Sequence, residues 1–167
     1  MKTLQKTALI ISAITTVPAM AQGVYLGSAI GTSTQENEFV RTDTHGGYLK
    51  VGYRLNDFIA AEYRFGVVDK NTSDLDLSSY NSLYLRGSYP LDENFELYGM
   101  VGQTISKIGG DTVSGDDSTL NVTSPSFGIG ARYSATDNIG ISAEYNAIST
   151  KRDYDLSGVF LSVDYQF

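Results

Sequence analysis

The chain has 167 residues, 19 acidic against 12 basic side chains, a formal net charge of −7, and neither Cys nor Trp. Without Cys there is no disulfide, thiolate nucleophile or Cys-based metal centre, and the acidic balance argues against nucleic acid as a partner. Seventeen Gly and twelve Tyr beside three Pro favour tight turns and aromatic-rich strands over helices.

Lys2 and Lys6 precede an apolar run from Ala8 to Val17, and Pro18-Ala19-Met20-Ala21 follows it. A charged start, a short apolar stretch and small residues at Ala19 and Ala21 read as a secretory signal peptide over 1–21, cut after Ala21. The apolar run is about ten residues, half of the roughly 20 that a membrane-spanning helix needs. Residues 22–167 are then a single domain. Without Lys2 and Lys6, ten basic residues face nineteen acidic ones, a formal net charge of −9.

Period-2 alternation recurs eight times from there. The first run sets Leu26 and Ile30 against Tyr25, Gly27, Ala29 and Gly31. The second sets Leu49, Val51 and Tyr53 against Tyr48, Lys50, Gly52 and Arg54. In the third, Ile59, Ala61, Tyr63, Phe65 and Val67 oppose Ala60, Glu62, Arg64 and Gly66. Leu83, Leu85 and Tyr89 then oppose Tyr84, Arg86 and Ser88. Leu97, Val101 and Ile105 oppose Glu96, Tyr98, Met100 and Gly102. Phe127, Ile129, Ala131 and Tyr133 oppose Gly128, Gly130 and Arg132. Ile139, Ile141, Ala143 and Tyr145 oppose Ser142, Glu144 and Asn146. The last run sets Val159, Leu161, Val163, Tyr165 and Phe167 against Phe160, Ser162, Asp164 and Gln166. Every charge falls on the face opposite the aliphatic residues, which a helical period would not produce.

The connections alternate in length. Residues 55–57, 90–94 and 135–138 are short; 33–44, 68–79, 106–124 and 148–155 are long and polar. Each short turn follows a Tyr (Tyr53, Tyr89, Tyr133) and leads into an apolar residue, a hairpin repeat. These Tyr, with Tyr165, are expected to form an aromatic girdle at one membrane face. Strands of about 8 to 12 residues suit a tilted bilayer crossing of about 9 to 11. In lipid every backbone group needs a partner, so the sheet must close. The expected fold is all-β: an eight-stranded antiparallel up-and-down transmembrane β-barrel.

A barrel of eight strands encloses little more than its own side chains. The inward faces carry Lys50, Arg54, Arg64, Arg86 and Arg132 against Glu62, Glu96, Glu144 and Asp164, with Tyr25, Tyr48, Tyr84, Tyr98 and Phe160. A buried unpaired charge is costly, so these charges are expected to interlock. Glu62 is expected to meet Arg64, Arg86 or Arg132, with Lys50 and Arg54 on the neighbouring strand. Inward Gly27, Gly31, Gly52, Gly102, Gly128 and Gly130 are expected to make room for the long side chains.

The order and spacing of Tyr25-Leu26-Gly27, Arg86-Gly87-Ser88-Tyr89-Pro90 and Val163-x-Tyr165-x-Phe167 resemble the transmembrane domain of outer membrane protein A and the small OmpX/Ail-type barrels. The resemblance spans Val24 to Phe167. It implies a bacterial outer-membrane location, a monomer, and an assembly signal in Val163, Tyr165 and Phe167 read by the barrel assembly machinery. It also implies outer-membrane lipids, lipopolysaccharide and an extracellular ligand as partners. Outer membrane protein A carries an inward Glu, Lys, Glu and Arg as a lumen gate. Glu62 and Arg86 match the first two positions, but Arg132 and Ser142 stand at the others, so that gate does not carry over. The peptidoglycan-binding domain of that protein has no counterpart in this sequence.

Catalysis is not expected. His45 is the sole His, near the outer end of the second strand, and Asp43 lies two residues before it with no nucleophile at matching spacing. A solvent-exposed loop position is the simpler reading of His45. Glu62 and Glu144 suit structural pairing better than acid–base work. The outer segments are acidic: Glu36, Glu38, Asp43, Asp69, Asp74, Asp76, Asp111, Asp116, Asp117, Asp153 and Asp155 outnumber Arg41, Lys70, Lys107, Lys151 and Arg152. The stretch Gly109 to Asp117 has oxygen ligands but not the spacing of a calcium loop, so no metal site and no cofactor is assigned. The expected function is a structural or surface-interaction barrel. The alternatives are a narrow passive pore and a lipid A-modifying enzyme acting through His45.

Overall fold

The computed structural model describes residues 23–37, 40–68, 76–109, 119–151 and 154–167. The expected signal peptide, with Ala19 and Ala21, lies outside them. Eight strands follow in order: β1 (Val24–Asn37), β2 (Val40–Arg54), β3 (Ile59–Val68), β4 (Asp76–Pro90), β5 (Phe95–Gly109), β6 (Thr119–Ser134), β7 (Ile139–Lys151) and β8 (Tyr154–Gln166). Each pairs antiparallel with its sequence neighbours, and β1 closes on β8 into one barrel.

The faces follow the alternation. Ile30, Leu49, Leu83, Ile129 and Leu161 are all at least 60% exposed, while Glu62, Arg64 and Arg86 are 2% exposed or less. A soluble sandwich buries its apolar face; this wall turns it outward, as a lipid-facing surface requires. Tyr53, Tyr89, Tyr133 and Tyr165 are exposed beside the short turns, where the girdle was expected.

The three short turns share one hydrogen-bond plan. Asn56 Oδ1 accepts from the backbone N–H groups of Phe58 and Ile59, both at 2.9 Å. Asp92 Oδ1 accepts from Asn94 and Phe95 at 2.8 and 2.7 Å. Thr136 Oγ1 accepts from Asn138 and Ile139 at 3.3 and 3.0 Å. Short polar side chains that reach forward to their own backbone are the chemistry of such turns. The hairpins then lace together, as the N–H groups of Ser88, Ser134 and Gln166 donate to the carbonyls of Phe58, Asn94 and Asn138. Pro90, expected in a turn, is the last residue of β4.

The long connections are shorter than the sequence suggests. Pairing continues to Asn37↔Val40, Gly109↔Thr119 and Lys151↔Tyr154, and strands reach 16 residues. The outward apolar pattern fades before the strands end. Above the lipid, a hairpin ladder pairs backbone with backbone whatever the side chains are, so polarity alone misplaced the strand ends.

Inside, bulky residues face glycines across the ladder. Tyr25↔Gly52, Phe160↔Gly31, Tyr80↔Gly66, Tyr84↔Gly102 and Tyr98↔Gly130 are direct cross-strand partners. A Cβ at Gly130 would stand 2.5 Å from Tyr98 Cζ, and one at Gly102 would stand 2.8 Å from Tyr84 Cδ1. Each ring lies flat over a partner that lacks a side chain, which lets a narrow lumen hold so many aromatic residues.

Among the described residues, β3–β4 pairing reaches only Val67↔Ser79 and β6–β7 pairing only Phe127↔Ala147, although the strands of each pair continue beyond these partners. Extra residues bulge β4 between Leu77 and Ser79 and β7 between Ala147 and Ser149, at the same height. Since an open edge is not viable in hydrocarbon, the lipid core must end at or below this level. The outward surface agrees, changing there from Ile30 to Thr32, from Leu83 to Asn81 and from Phe127 to Pro125.

Candidate functional site

The centre of the lumen is a knot around Arg64, which is 1% exposed. Its Nη1 and Nη2 donate to Glu144 Oε1 and Oε2 at 2.6 and 3.0 Å. Its Nε donates to Glu62 Oε1. One guanidinium thus answers two carboxylates, and phenols answer the rest. Tyr25 OH donates to Glu62 Oε2 at 2.7 Å, Tyr98 OH to Glu144 Oε2 at 2.7 Å, and Tyr48 OH to Glu144 Oε1. Asn146 Nδ2 adds a fourth contact to Glu144 at 2.7 Å. The guanidinium lies 4.4 Å from the Tyr48 ring centroid and 5.0 Å from that of Tyr84, a second source of cation stabilisation.

Toward the short turns the balance reverses. Arg54 and Arg86 both engage Glu96, and Arg86 stacks 3.7 Å over the Tyr98 ring. Lys50 and Arg132 both engage Asp164, at 3.3 and 2.8 Å. Two cation–carboxylate–cation groups therefore line the turn end, and a carboxylate-rich knot lies above them. All nine residues expected to form the lumen charge network meet here. Of the cations expected around Glu62, Arg64 and Arg86 are the ones near it, while Arg132 and Lys50 meet Asp164 and Arg54 meets Glu96. Glu62 contacts Arg64, with Arg86 at 4.0 Å. Sequence reasoning missed the three phenol donors. Their signal was available, because each inward Tyr alternates with inward charge on a neighbouring strand.

The outer half of the lumen has a different lining. Ser82 Oγ and Thr104 Oγ1 are 2.6 Å apart, and Thr104 Oγ1 donates to Ser126 Oγ at 3.0 Å. Against this hydroxyl wall pack Ala29, Tyr48, Val68, Tyr80, Ile148 and Phe160.

His45 lies within β2, directly opposite Thr32 of β1, and is exposed on the outer face. It is a strand residue and not a loop residue, because the β1–β2 ladder runs on past it. The barrel wall separates it from Glu62 and Glu144. Those two carboxylates are 1% and 3% exposed and tied to Arg64. Among the described residues no three His, Cys, Asp or Glu side chains group to hold a metal. The side chains of the acidic outer residues, from Glu36 to Asp155, and the stretch Gly110 to Asp117 lie outside the described residues.

At the C-terminus, Val163 and Tyr165 face outward. The N–H of Phe167 donates to Val24 O at 3.0 Å, and its ring meets that of Tyr165 edge-on at 5.0 Å.

The family described as outer membrane protein beta-barrel domain matches residues 7–167. Among curated proteins none matches the chain significantly. Among solved structures, neisserial surface protein A superposes with a TM-score of 0.71 at 19% identity, covering 87% of this chain and 97% of that one. Ail, the attachment invasion locus protein of Yersinia pestis, gives 0.66 at 20% identity, covering 87% and 99%. Ail in complex with the heparin analogue sucrose octasulfate gives 0.67, again at 20% identity and with 87% and 99% covered. At these identities the likeness is one of fold.

Proposed function

Because the chain belongs to the outer membrane protein β-barrel domain family, and so resides in the bacterial outer membrane, we propose that it is a non-enzymatic surface-interaction barrel. In this reading its own side chains close the lumen and its outer segments make the contacts. The observation that carries the closed lumen is the Arg64 knot, where β3 and β7 meet across the lumen through buried, multiply hydrogen-bonded charge. Opening a path there would unpair charges in a low-dielectric interior, at a cost of several kcal/mol. Rigid strands below and variable segments above are the usual division of labour on such scaffolds.

Ail is known in complex with a sulfated heparin analogue. The outer segments of this chain are rich in Asp and Glu, so the electrostatics favour the opposite class of ligand: cationic surfaces, or lipopolysaccharide phosphates bridged by divalent cations. The test is to shorten residues 106–124 and measure adhesion or lipopolysaccharide contact by intact cells. Insertion is checked by heat-modifiable gel migration. Loss of contact with normal insertion supports the reading. Large, stable single-channel conductance of the native protein in planar bilayers would select the pore instead. A change in lipid A mass spectra that is lost in His45→Ala would select the enzyme.

A further inference from the structure

The ladder between β6 and β7 runs from Ser134↔Gly140 to Phe127↔Ala147 and, among the described residues, no farther. Yet β6 extends back to Thr119 and β7 on to Lys151. Two local features end the pairing. Along β6, backbone N–H groups alternate sides: that of Ser134 donates to Asn94 on the β5 side, and that of Ala135 to Ile139 on the β7 side. Odd-numbered residues therefore point at β7, and the first one beyond Phe127 is Pro125, which has no N–H. On β7 the residue after Ala147 is Ile148, the extra residue of a bulge. A bulge bends its strand and terminates pairing, and Ile148 turns inward to 1% exposure.

Behind this seam lie two polar side chains without full satisfaction. Ser124 is 2% and Asn146 1% exposed. Among the described residues Ser124 Oγ and Asn146 Oδ1 have no hydrogen-bond partner, although the amide nitrogen of Asn146 is anchored on Glu144. Buried acceptors and hydroxyls are rarely left unpaired. The wall around them, Ser82, Thr104, Ser106, Ser124 and Ser126, is hydroxylated and carries no charge.

We propose that the β6–β7 seam is a lateral port through which small neutral hydroxyl-bearing solutes, water and polyols, enter the outer half of the lumen. Ser124 Oγ and Asn146 Oδ1 are the groups that receive them. The port opens at the level where the outward surface turns from Phe127 to Pro125, just above the hydrocarbon. Below these groups Asn146 is anchored on Glu144, and Glu144 on Arg64, so the port is compatible with a lumen closed there. A charged solute would lose its hydration against Ile148 and Tyr80 and meet neutral hydroxyls at the seam. An extended peptide adding to the β6 edge would find no donor at Pro125, its first free position.

The native chain has no Cys, so a single Ser124→Cys or Asn146→Cys in the full-length protein, inserted in lipid vesicles, reports access cleanly. Neutral iodoacetamide is expected to label either position about tenfold faster than an anionic sulfonate reagent, because labelling tracks local opening and desolvation. Glycerol is expected to slow the reaction. Pro125→Val restores the N–H, extends the ladder, and is expected to slow labelling of both positions about tenfold. No effect of Pro125→Val would mean entry from the top of the barrel and would overturn the port. Equal rates for neutral and anionic reagents would do the same. So would labelling that falls as protein density rises, which would place a neighbouring strand in the seam. The Asn146→Cys variant keeps the test open if Ser124→Cys fails to show heat-modifiable migration.

Discussion

Arg64 and Glu144, eighty positions apart in the chain, meet through two parallel hydrogen bonds of 2.6 and 3.0 Å across the lumen. The pair joins β3 to β7, strands that share no ladder, so it braces the barrel across its diameter. Replacing Arg64 by Met would leave Glu62 and Glu144 buried without their shared cation. The expected loss is about 3–5 kcal/mol, read by urea unfolding in lipid vesicles. The double variant Arg64→Met with Glu144→Met should recover much of this, since it removes both charges. Native-like stability of Arg64→Met alone would contradict the bracing role.

Two glycines on the same barrel predict opposite outcomes. At Gly130 an added Cβ would meet the Tyr98 ring, whereas at Gly87 nothing lies within 4 Å. Gly130→Val should displace Tyr98 from Glu144 and reduce the folded, heat-modifiable fraction. Gly87→Val points to lipid and should leave that fraction unchanged or raise it, since Gly is a poor strand residue. Equal behaviour of the two variants would count against the ring-over-glycine packing.

The repeated turn plan predicts repeated energetics. Asp92→Ala removes acceptors for two backbone N–H groups and should cost about 1 kcal/mol. Thr136→Ala, which removes the matching pair, should cost a similar amount, while Thr136→Asp should be neutral or stabilising. Unfolding midpoints of the three variants check this directly.

Deleting Phe167 removes one hydrogen bond to Val24 and one ring contact with Tyr165. Protein refolded into detergent should therefore lose only about 1–2 kcal/mol. The level reached in the outer membrane of cells should fall much further if the terminal aromatic residue is read during assembly. Equal cellular levels of truncated and full-length protein would argue against an assembly role.

What was legible in the sequence was whatever depends on local alternation. Side-chain direction in a strand has period two, so the inward and outward lists could be read off without knowing any contact. Thus Lys50, Glu62, Arg64 and Asp164 could be assigned to the lumen, and the turns at Asn56, Asp92 and Thr136 could be located. Pro125 was visible as well, but its meaning depended on which neighbour its missing N–H would have faced.

The sequence could name candidate partners such as Arg64 for Glu62, but which of the possible pairings form belonged to the tertiary structure. Arg132 finds Asp164 on β8 and not Glu62 on β3, and Arg64 finds Glu144 on β7. These partners lie on non-neighbouring strands at heights set by the stagger between strands, and the shear of a closed sheet is a property of the whole ring. The strand ends were decided the same way. Backbone ladders continue past the apolar band wherever a neighbour still offers hydrogen bonds, and stop where a bulge at Ile148 or a proline at Pro125 withdraws them. The sequence could therefore determine which face each side chain takes, while only closure of the ring decided which residue it meets there.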